Sequence, residues 1–376
     1  MVMAPLTRLR ADGFDIPAAI SATYYAQRAT PGGLLISEAT QIMPEGKGYP
    51  GAPGIYDERH VRAWRTITDA VHSCGGLILL QLWHVGRISH PSLQPGGTLP
   101  VAPSAIAADG YAYASDFTEI PFPTPRALEV AELPALVGAY AAAARRAADA
   151  GFDGVEIHAA NGYLLDQFLE SGTNLRTDAY GGSPANRARL LLEVVDATID
   201  VWGASRVGVR LSPFGTFNAM HDNDPATTFG TAIAELAARD IAYLHLVEAR
   251  ASEASSTGIL NIAAPDVGAL FGRAFPGPVV LAGGFTPTSA RAAVRAGHAD
   301  AVAFGRAFIA NPDLIRRIRE DAPLNAHDRS TFYQGGIRGY TDYPTLGERN
   351  GGVDLKSRTP DVAPHGTPFI RGEQVT

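Results

Sequence analysis

The stretch Gly154-Val155-Glu156-Ile157-His158-Ala159-Ala160-Asn161-Gly162-Tyr163 changes its period half-way. Gly154 to Ala159 alternates with period two, as a buried strand does, so Glu156 and His158 share one face while Val155, Ile157 and Ala159 take the other. Beyond it Gly162 permits a sharp turn, and Leu164, Leu165, Phe168 and Leu169 follow at helical spacing. His158, Asn161 and Tyr163 therefore gather where a strand gives way to a helix. In parallel α/β folds that end of the strands carries the chemistry. An imidazole N–H and a carboxamide N–H aimed at one point would hold a carbonyl or nitro oxygen and stabilise negative charge developing on it. A phenol beside them could give up a proton. A satisfied core histidine, a turn asparagine and a half-buried tyrosine would leave the same letters, so the rest of the chain has to decide between the two readings.

Outward from this stretch, short apolar runs alternate with longer amphipathic ones. Strands are predicted at Val2 to Leu6, Gly33 to Ala39, Leu77 to Trp83, Gly154 to Ala159, Val207 to Ser212, Tyr243 to Val247, Val279 to Ala282 and Ala301 to Phe304. Between them helices are predicted at Pro17 to Thr30, Asp57 to Ser73, Glu132 to Ala150, Pro184 to Trp202, Thr227 to Arg239, Pro265 to Phe275 and Thr286 to Ala296, with Asn311 to Glu320 closing the set. Ser183 and Pro184 make an N-cap and first-turn pair. Eight strands each followed by a helix, parallel by connection length, predict an α/β fold of the (β/α)8 TIM-barrel type. A doubly wound open sheet would instead open with a glycine-rich dinucleotide turn, and Met3-Ala4-Pro5-Leu6-Thr7-Arg8 is no such turn. The Pro- and Gly-rich excursion from Ser89 to Arg126 follows strand three and reads as a functional lid. One domain is expected over 1–346, and the Gly/Pro-rich tail 347–376 is expected to be disordered.

Composition bounds what such a domain can do. A chain of 376 residues with 46% hydrophobic and 18% charged content can bury a large core. Its net charge of -7 has no concentrated basic counterpart, which points away from nucleic acid and anionic membranes. The single cysteine, Cys74, excludes an intramolecular disulfide framework, no Cys/His cluster has zinc spacing, and the position of Cys74 between helix and strand suggests a buried, inert thiol. Without a membrane-length apolar run or a signal-peptide pattern, a soluble cytoplasmic protein is expected.

Two further features bear on a ligand. The ends of strands seven and eight read Ala282-Gly283-Gly284 and Phe304-Gly305-Arg306, glycines that let backbone N–H groups approach an anion, with one arginine to neutralise it. Glycines for tight turns would read the same way. On strand five, alternation sets Gly208, Arg210 and Ser212 opposite Val207, Val209 and Leu211, so Arg210 points into the barrel mouth and needs an anionic or electron-rich partner there, a bound ligand or an inward acid such as Glu156. Phosphate site, inward cation and paired donors together suit a bound flavin mononucleotide.

The chain resembles the Old Yellow Enzyme family of FMN-dependent ene-reductases, in particular the bacterial branch that includes N-ethylmaleimide reductase and pentaerythritol tetranitrate reductase. The likeness runs from residue 2 to about residue 346. Met3 to Arg8, Ser37 to Thr40, Lys47 to Gly54, Gln81 to Arg87, His158 to Leu165, Asp178 to Ser183, Val209 to Pro213, Phe304 to Leu314 and Gly339 to Pro344 carry it. Each motif is weak singly, and the set in this order is specific.

The resemblance implies a tightly bound, non-covalent FMN reduced by NADPH or NADH. Pro5, Leu6, Thr7 and Ala39 would border the flavin, Thr7 and Ala39 at its O4 edge, Gln81 at its pyrimidine edge and Arg210 at its N1 side. Gly284, Gly305 and Arg306 would hold the phosphate, with Ala282 and Gly283 lining the same pocket. His158, which also borders the cofactor, and Asn161 would bind the activating oxygen of an enone, nitroalkene or other nitro compound. Tyr163 would be the proton donor, and Tyr49, Trp83 and Tyr333 would line the substrate side, where aromatic packing at the rim is the bland alternative. Hydride would go from flavin N5 to the β-carbon and a proton to the α-carbon, from opposite faces. A monomer or homodimer is expected, and no metal.

This chain departs from the family in several places. It opens inside strand one, where the family has a longer lead-in, so the barrel floor is expected to be open unless the start is misassigned. Asn161 stands where this branch often has His; both donate an N–H. The excursion at Ala107 to Pro125 carries Tyr111, Tyr113 and Phe117 with no basic residue before Arg126. Two rival readings are a flavin-binding barrel without turnover and a metal-dependent barrel hydrolase using His84, His158 and His245.

Overall fold

Eight parallel strands close on themselves in the computed structural model, which describes residues 1–251, 261 and 263–347. They are β1 (Val2–Met3), β2 (Leu34–Ile36), β3 (Leu77–Trp83), β4 (Gly154–Ala159), β5 (Val207–Leu211), β6 (Tyr243–Val247), β7 (Val279–Ala282) and β8 (Ala301–Phe304). Each pairs with its neighbours in chain order, and β1 pairs with both β2 and β8, which shuts the barrel. Closure leaves no free edge, so the barrel ladder has no strand available to another chain. The outer layer includes α1 (Ile20–Ala26), α2 (Glu58–Ser73), α3 (Leu133–Asp149), α4 (Pro184–Trp202), α5 (Pro225–Ala237), α6 (Val267–Phe271), α7 (Pro287–Arg295) and α8 (Leu314–Arg319). The chain therefore has the predicted (β/α)8 architecture.

The helices form where the stripe and the caps agree. On α2 Val61, Trp64, Ile67, Thr68 and Val71, spaced by three or four, form a stripe that is buried throughout, and Asp57 caps the first turn by accepting from the N–H groups of Arg59 and His60. Ser183 caps α4 by accepting from the N–H of Asn186 at 3.3 Å, with Pro184 at its first position. Element ends differ by a few residues from their predicted places. β1 stops at Met3 because Ala4 makes the last ladder bond, to the carbonyl of Phe304, and Pro5 has no N–H to continue it. Cys74 is a correction: it is exposed, not buried. It caps α2 at the surface turn into β3, and a connection of that kind runs over the outside of the molecule.

The excursion after β3 forms a two-stranded hairpin, Tyr111–Tyr113 with Glu119–Pro121, and a short parallel pair, Val101–Ala102 with Arg126–Ala127. Ala108, Ala112, Tyr113 and Phe122 from this excursion pack into one cluster with Tyr49, Trp83 and Tyr163. The predicted tail disorder falls, Gly347 apart, on residues outside the described ones.

The far end of the described chain is tied back to its beginning. Arg8, fully buried, donates to the carbonyls of Phe332 and Gly339 at 2.8 Å and of Thr331 at 3.3 Å. Arg10 donates to the carbonyls of Thr331 and Phe332. Tyr340 stacks on Tyr24 with ring centroids 4.1 Å apart, and the Arg10 guanidinium lies 4.2 Å above the Tyr340 ring. Buried guanidinium groups are tolerated here because carbonyls and aromatic faces replace their water.

Candidate active site

Ladder register sets two polar layers inside the barrel. Gln81, Glu156, Gly208 and Tyr243 stand opposite one another on β3, β4, β5 and β6, and one step up His158, Arg210 and His245 do the same on β4, β5 and β6. Gly208 is where the Tyr243 ring passes: a Cβ there would meet that ring at 2.2 Å. The Glu156 carboxylate is wholly buried and accepts from Gln81 Nε2 at 2.8 Å and from the Tyr243 hydroxyl at 2.9 Å, with His245 Nδ1 at 2.8 Å. Burial pushes its pKa up, but His245, Arg210 and the Tyr243 hydroxyl more than offset that and hold it below the ordinary carboxylate value. A carboxylate only accepts, so the Gln81 amide must turn its NH2 toward Glu156.

Above these layers lie two adjoining cavities. The larger, about 470 Å³, is bordered by Leu6, Thr7, Arg210, Ala282, Gly283, Gly284, Gly305, Arg306 and Tyr333 among others. The smaller is bordered by Pro5, Thr7, Ala39, Gln81, Trp83, His158, Asn161, Tyr163, Arg210 and Phe217. Thr7 and Arg210 border both, so the two are one site with a shared wall. Every residue predicted for cofactor or substrate contact borders one of them except Tyr49. Tyr49 lies behind, 1% exposed, stacked on Trp83 with its hydroxyl 3.3 Å from that of Tyr163. Phe217, His327 and Arg329 border the site without having been read from the sequence. Phe217 and His327 lie in loops and Arg329 opens a one-turn 3-10 helix, stretches too short for a period to mark an inward face.

The electrostatics sort the donors. Burial, with the charge of Arg210 and the nearby His245, drives the His158 pKa well below its usual value, so the ring is neutral, and its Nδ1 has no partner among the described residues. Burial pushes the Tyr163 phenol up to about 12, partly countered by hydrogen bonds from Tyr49 and Asn218. It holds its proton at neutral pH. Arg210 is buried, its Nε has no partner among the described residues, and burial lowers its pKa while Glu156 raises it.

FMN fits these residues on three observations. A buried guanidinium with an unpartnered nitrogen borders both cavities and calls for an electron-rich edge. Arg306 is half-buried beside Arg329, whose charge adds to burial in lowering its pKa, and it forms no ion pair among the described residues. Two cations bordering one void suit a phosphate. Gly283 and Gly284, both at positive φ, line the same cavity. The three histidines of the hydrolase reading do not converge: His84 Nδ1 accepts from the Gly86 N–H, and His245 is bound to Glu156. Among the described residues no group of three His, Cys, Asp or Glu could hold a metal ion.

The profile of the NADH:flavin oxidoreductase / NADH oxidase family matches residues 1–325. The chain belongs to this family. Rice (Oryza sativa subsp. japonica) 12-oxophytodienoate reductase 1 is 46% identical over 362 residues, 96% of this chain and 91% of the relative. Among solved structures, morphinone reductase in complex with tetrahydroNAD superposes with a TM-score of 0.86 at 46% identity, covering 94% of this chain and 95% of that one. The Old Yellow Enzyme homologue from Zymomonas mobilis gives 0.87 at 46% identity, with 92% and 95% covered. As a member of the Old Yellow Enzyme family the chain is an FMN-dependent oxidoreductase driven by NAD(P)H, an alkene reductase acting on small molecules. None of its described helices is long and apolar enough to cross a membrane.

Proposed function

We propose that this protein reduces the activated C=C bond of α,β-unsaturated carbonyl and nitro compounds, with His158 and Asn161 as the oxygen-binding pair and Tyr163 as the proton donor. The observation that carries the reading is that all three side chains border one small pocket, which shares Thr7 and Arg210 with the larger cavity. Thr7, Gln81 and Arg210 would hold the flavin ring edge, and Gly284, Gly305 and Arg306 the phosphate. FMN held there would supply the hydride chemistry for the β-carbon, with NADPH or NADH as the reductant.

The remaining steps belong to the chain. Neutral His158 and the Asn161 carboxamide each give an N–H to the substrate oxygen and draw electron density toward it. Tyr163, protonated at neutral pH, gives its proton to the α-carbon, and the phenolate so formed is met by the Tyr49 hydroxyl at 3.3 Å and by the Asn218 amide. Trp83 and Tyr333 confine the substrate, and the insertion at 89–126 acts as the lid of one domain spanning 1–346. Tyr49 supports Tyr163 from behind. The reading keeps a cytoplasmic monomer or homodimer.

Tyr163→Phe is the test. It should retain phenol binding and reduction by NADPH while slowing cyclohexenone reduction by about a hundredfold, within the range typical of general acid catalysis. Nitroalkene reduction should suffer least, because the nitronate product is stable enough to leave unprotonated. Parent-rate cyclohexenone reduction by the variant, or equal loss toward both substrates, would place the proton source elsewhere.

A further inference from the structure

Between His158 and Tyr163 the backbone passes through two consecutive left-handed residues, Asn161 at φ 57° and Gly162 at φ 75°. Glycine is required at 162, since a Cβ would lie 2.7 Å from Asn218 Cβ and 2.8 Å from the Phe217 carbonyl oxygen. Asn161 has a Cβ and holds an uncommon conformation for a residue that carries one. Side chains hold it there, one for each backbone polar group of the pair. The Asn161 N–H donates to Ser212 Oγ at 2.7 Å, and its carbonyl accepts from Asn218 Nδ2 at 2.8 Å. The Gly162 N–H donates to Asp166 Oδ2 at 2.8 Å, and its carbonyl accepts from Gln167 Nε2 at 2.7 Å. Ser212 Oγ in turn donates to the same Asp166 oxygen at 3.2 Å. One carboxylate oxygen thus anchors both N–H groups, one directly and one through the serine.

Asp166 is 1% exposed, and its other oxygen has no partner among the described residues. It sits in a short helix whose Leu164, Leu165, Phe168 and Leu169 are all buried. A carboxylate placed there costs folding free energy, which a stability role alone does not require. Its two donors both lead to the turn that aims Asn161 and Tyr163.

We propose that Asp166, acting with Ser212, is a positioning residue for alkene reduction: it fixes the Asn161–Gly162 turn and so sets the Asn161 carboxamide on the substrate oxygen and the Tyr163 phenol on the α-carbon. The proposal rests on the roles given to Asn161 and Tyr163 above. It requires an oxygen acceptor at 166, not a charge. Asparagine can present one and leucine cannot.

The experiment measures binding of p-chlorophenol to the FMN-loaded protein by the change in flavin absorption. Asp166→Leu should weaken binding about tenfold, the range expected when a buried N–H loses its acceptor. Asp166→Asn should stay near the parent, and Ser212→Ala should weaken binding in the same direction as Asp166→Leu. In an Asn161→Ala background neither Asp166→Leu nor Ser212→Ala should weaken it further, because the carboxamide they position is gone; a merely structural role would be additive. Additive losses, or Asp166→Leu and Ser212→Ala binding like the parent while Asn161→Ala binds weakly, overturn the proposal and leave the oxygen-binding reading standing. If Asn161→Ala alone binds phenol like the parent, the oxygen-binding reading fails and this proposal with it. Should Asp166→Leu fail to fold, Ser212→Ala in the two backgrounds separates the same outcomes.

Discussion

Arg210 meets the conditions under which one side chain decides cofactor affinity. It is buried, borders both cavities, and has an unpartnered Nε among the described residues. Replacing it by Ala should weaken FMN binding to the apoprotein by about ten- to a hundredfold, the range for losing a charge-assisted hydrogen bond, and Arg210→Lys should recover part of it. Unchanged FMN affinity by fluorescence titration would contradict that role. The residue is legible in the sequence because a strand's period of two separates faces, and the same alternation gives Glu156, His158 and Arg210 their inward direction. Asn218 and Phe217 are not legible. They lie in the loop after β5, where Phe214, Asn218 and Ala219 all take positive φ, and no periodicity tells which of them turns inward. Nor does the sequence reveal that Tyr49 backs Tyr163 instead of lining the cavity.

For the elements, the predicted stripes locate the helices, and the caps decide where they begin. The stripe predicts a start at Thr227 for α5, yet the helix begins at Pro225 because Asp224 accepts from the Thr227 N–H. Asp57 does the same for α2, and it offers a measurable case. Asp57→Ala should cost about 1 kcal/mol, as loss of an N-cap does. Slight burial raises the Asp57 pKa, but the side chain and N–H of Arg59 and the nearby His60 outweigh that, so the carboxyl is held below its ordinary value. A depressed carboxyl stabilises the fold above its unfolded pKa, about 4. The gap between parent and Asp57→Ala in urea unfolding should therefore be full at pH 7 and shrink as pH falls below about 4. A gap independent of pH would mean that the cap acts without its charge.

Over the whole molecule, opposed titrations shape stability. Burial holds His84 down to about 3, drives His158 well below its ordinary value and also lowers His245, so each binds its proton less readily in the fold than in the unfolded chain. Each costs stability as pH falls through about 6.5. Glu38 runs the other way. Burial pushes it up to about 7 despite the Arg8 N–H it accepts at 3.0 Å and the charges of Arg8 and Arg10. The folded state then binds that proton before the unfolded one, and stability rises as pH falls from about 7 toward 4.5. Glu38→Gln should thus be more stable than the parent at pH 8, by roughly 2–3 kcal/mol, with the advantage gone near pH 4.5. Denaturant midpoints across that range measure it, and an advantage that did not vary with pH would refute the assignment. The barrel itself is readable because eight strand–helix repeats recur, whereas the bonds from Arg8 and Arg10 to carbonyls at 331–339 join positions more than 300 residues apart and leave no local mark. That clasp orders events at the ribosome. All eight strands have been synthesised once Phe304 emerges, but the cavity wall still lacks Phe332 and Tyr333 and the carbonyls that secure them. A message truncated before Thr331 would encode every strand of the barrel and every residue given above as a flavin holder, yet leave the cavity without the wall that Phe332 and Tyr333 complete.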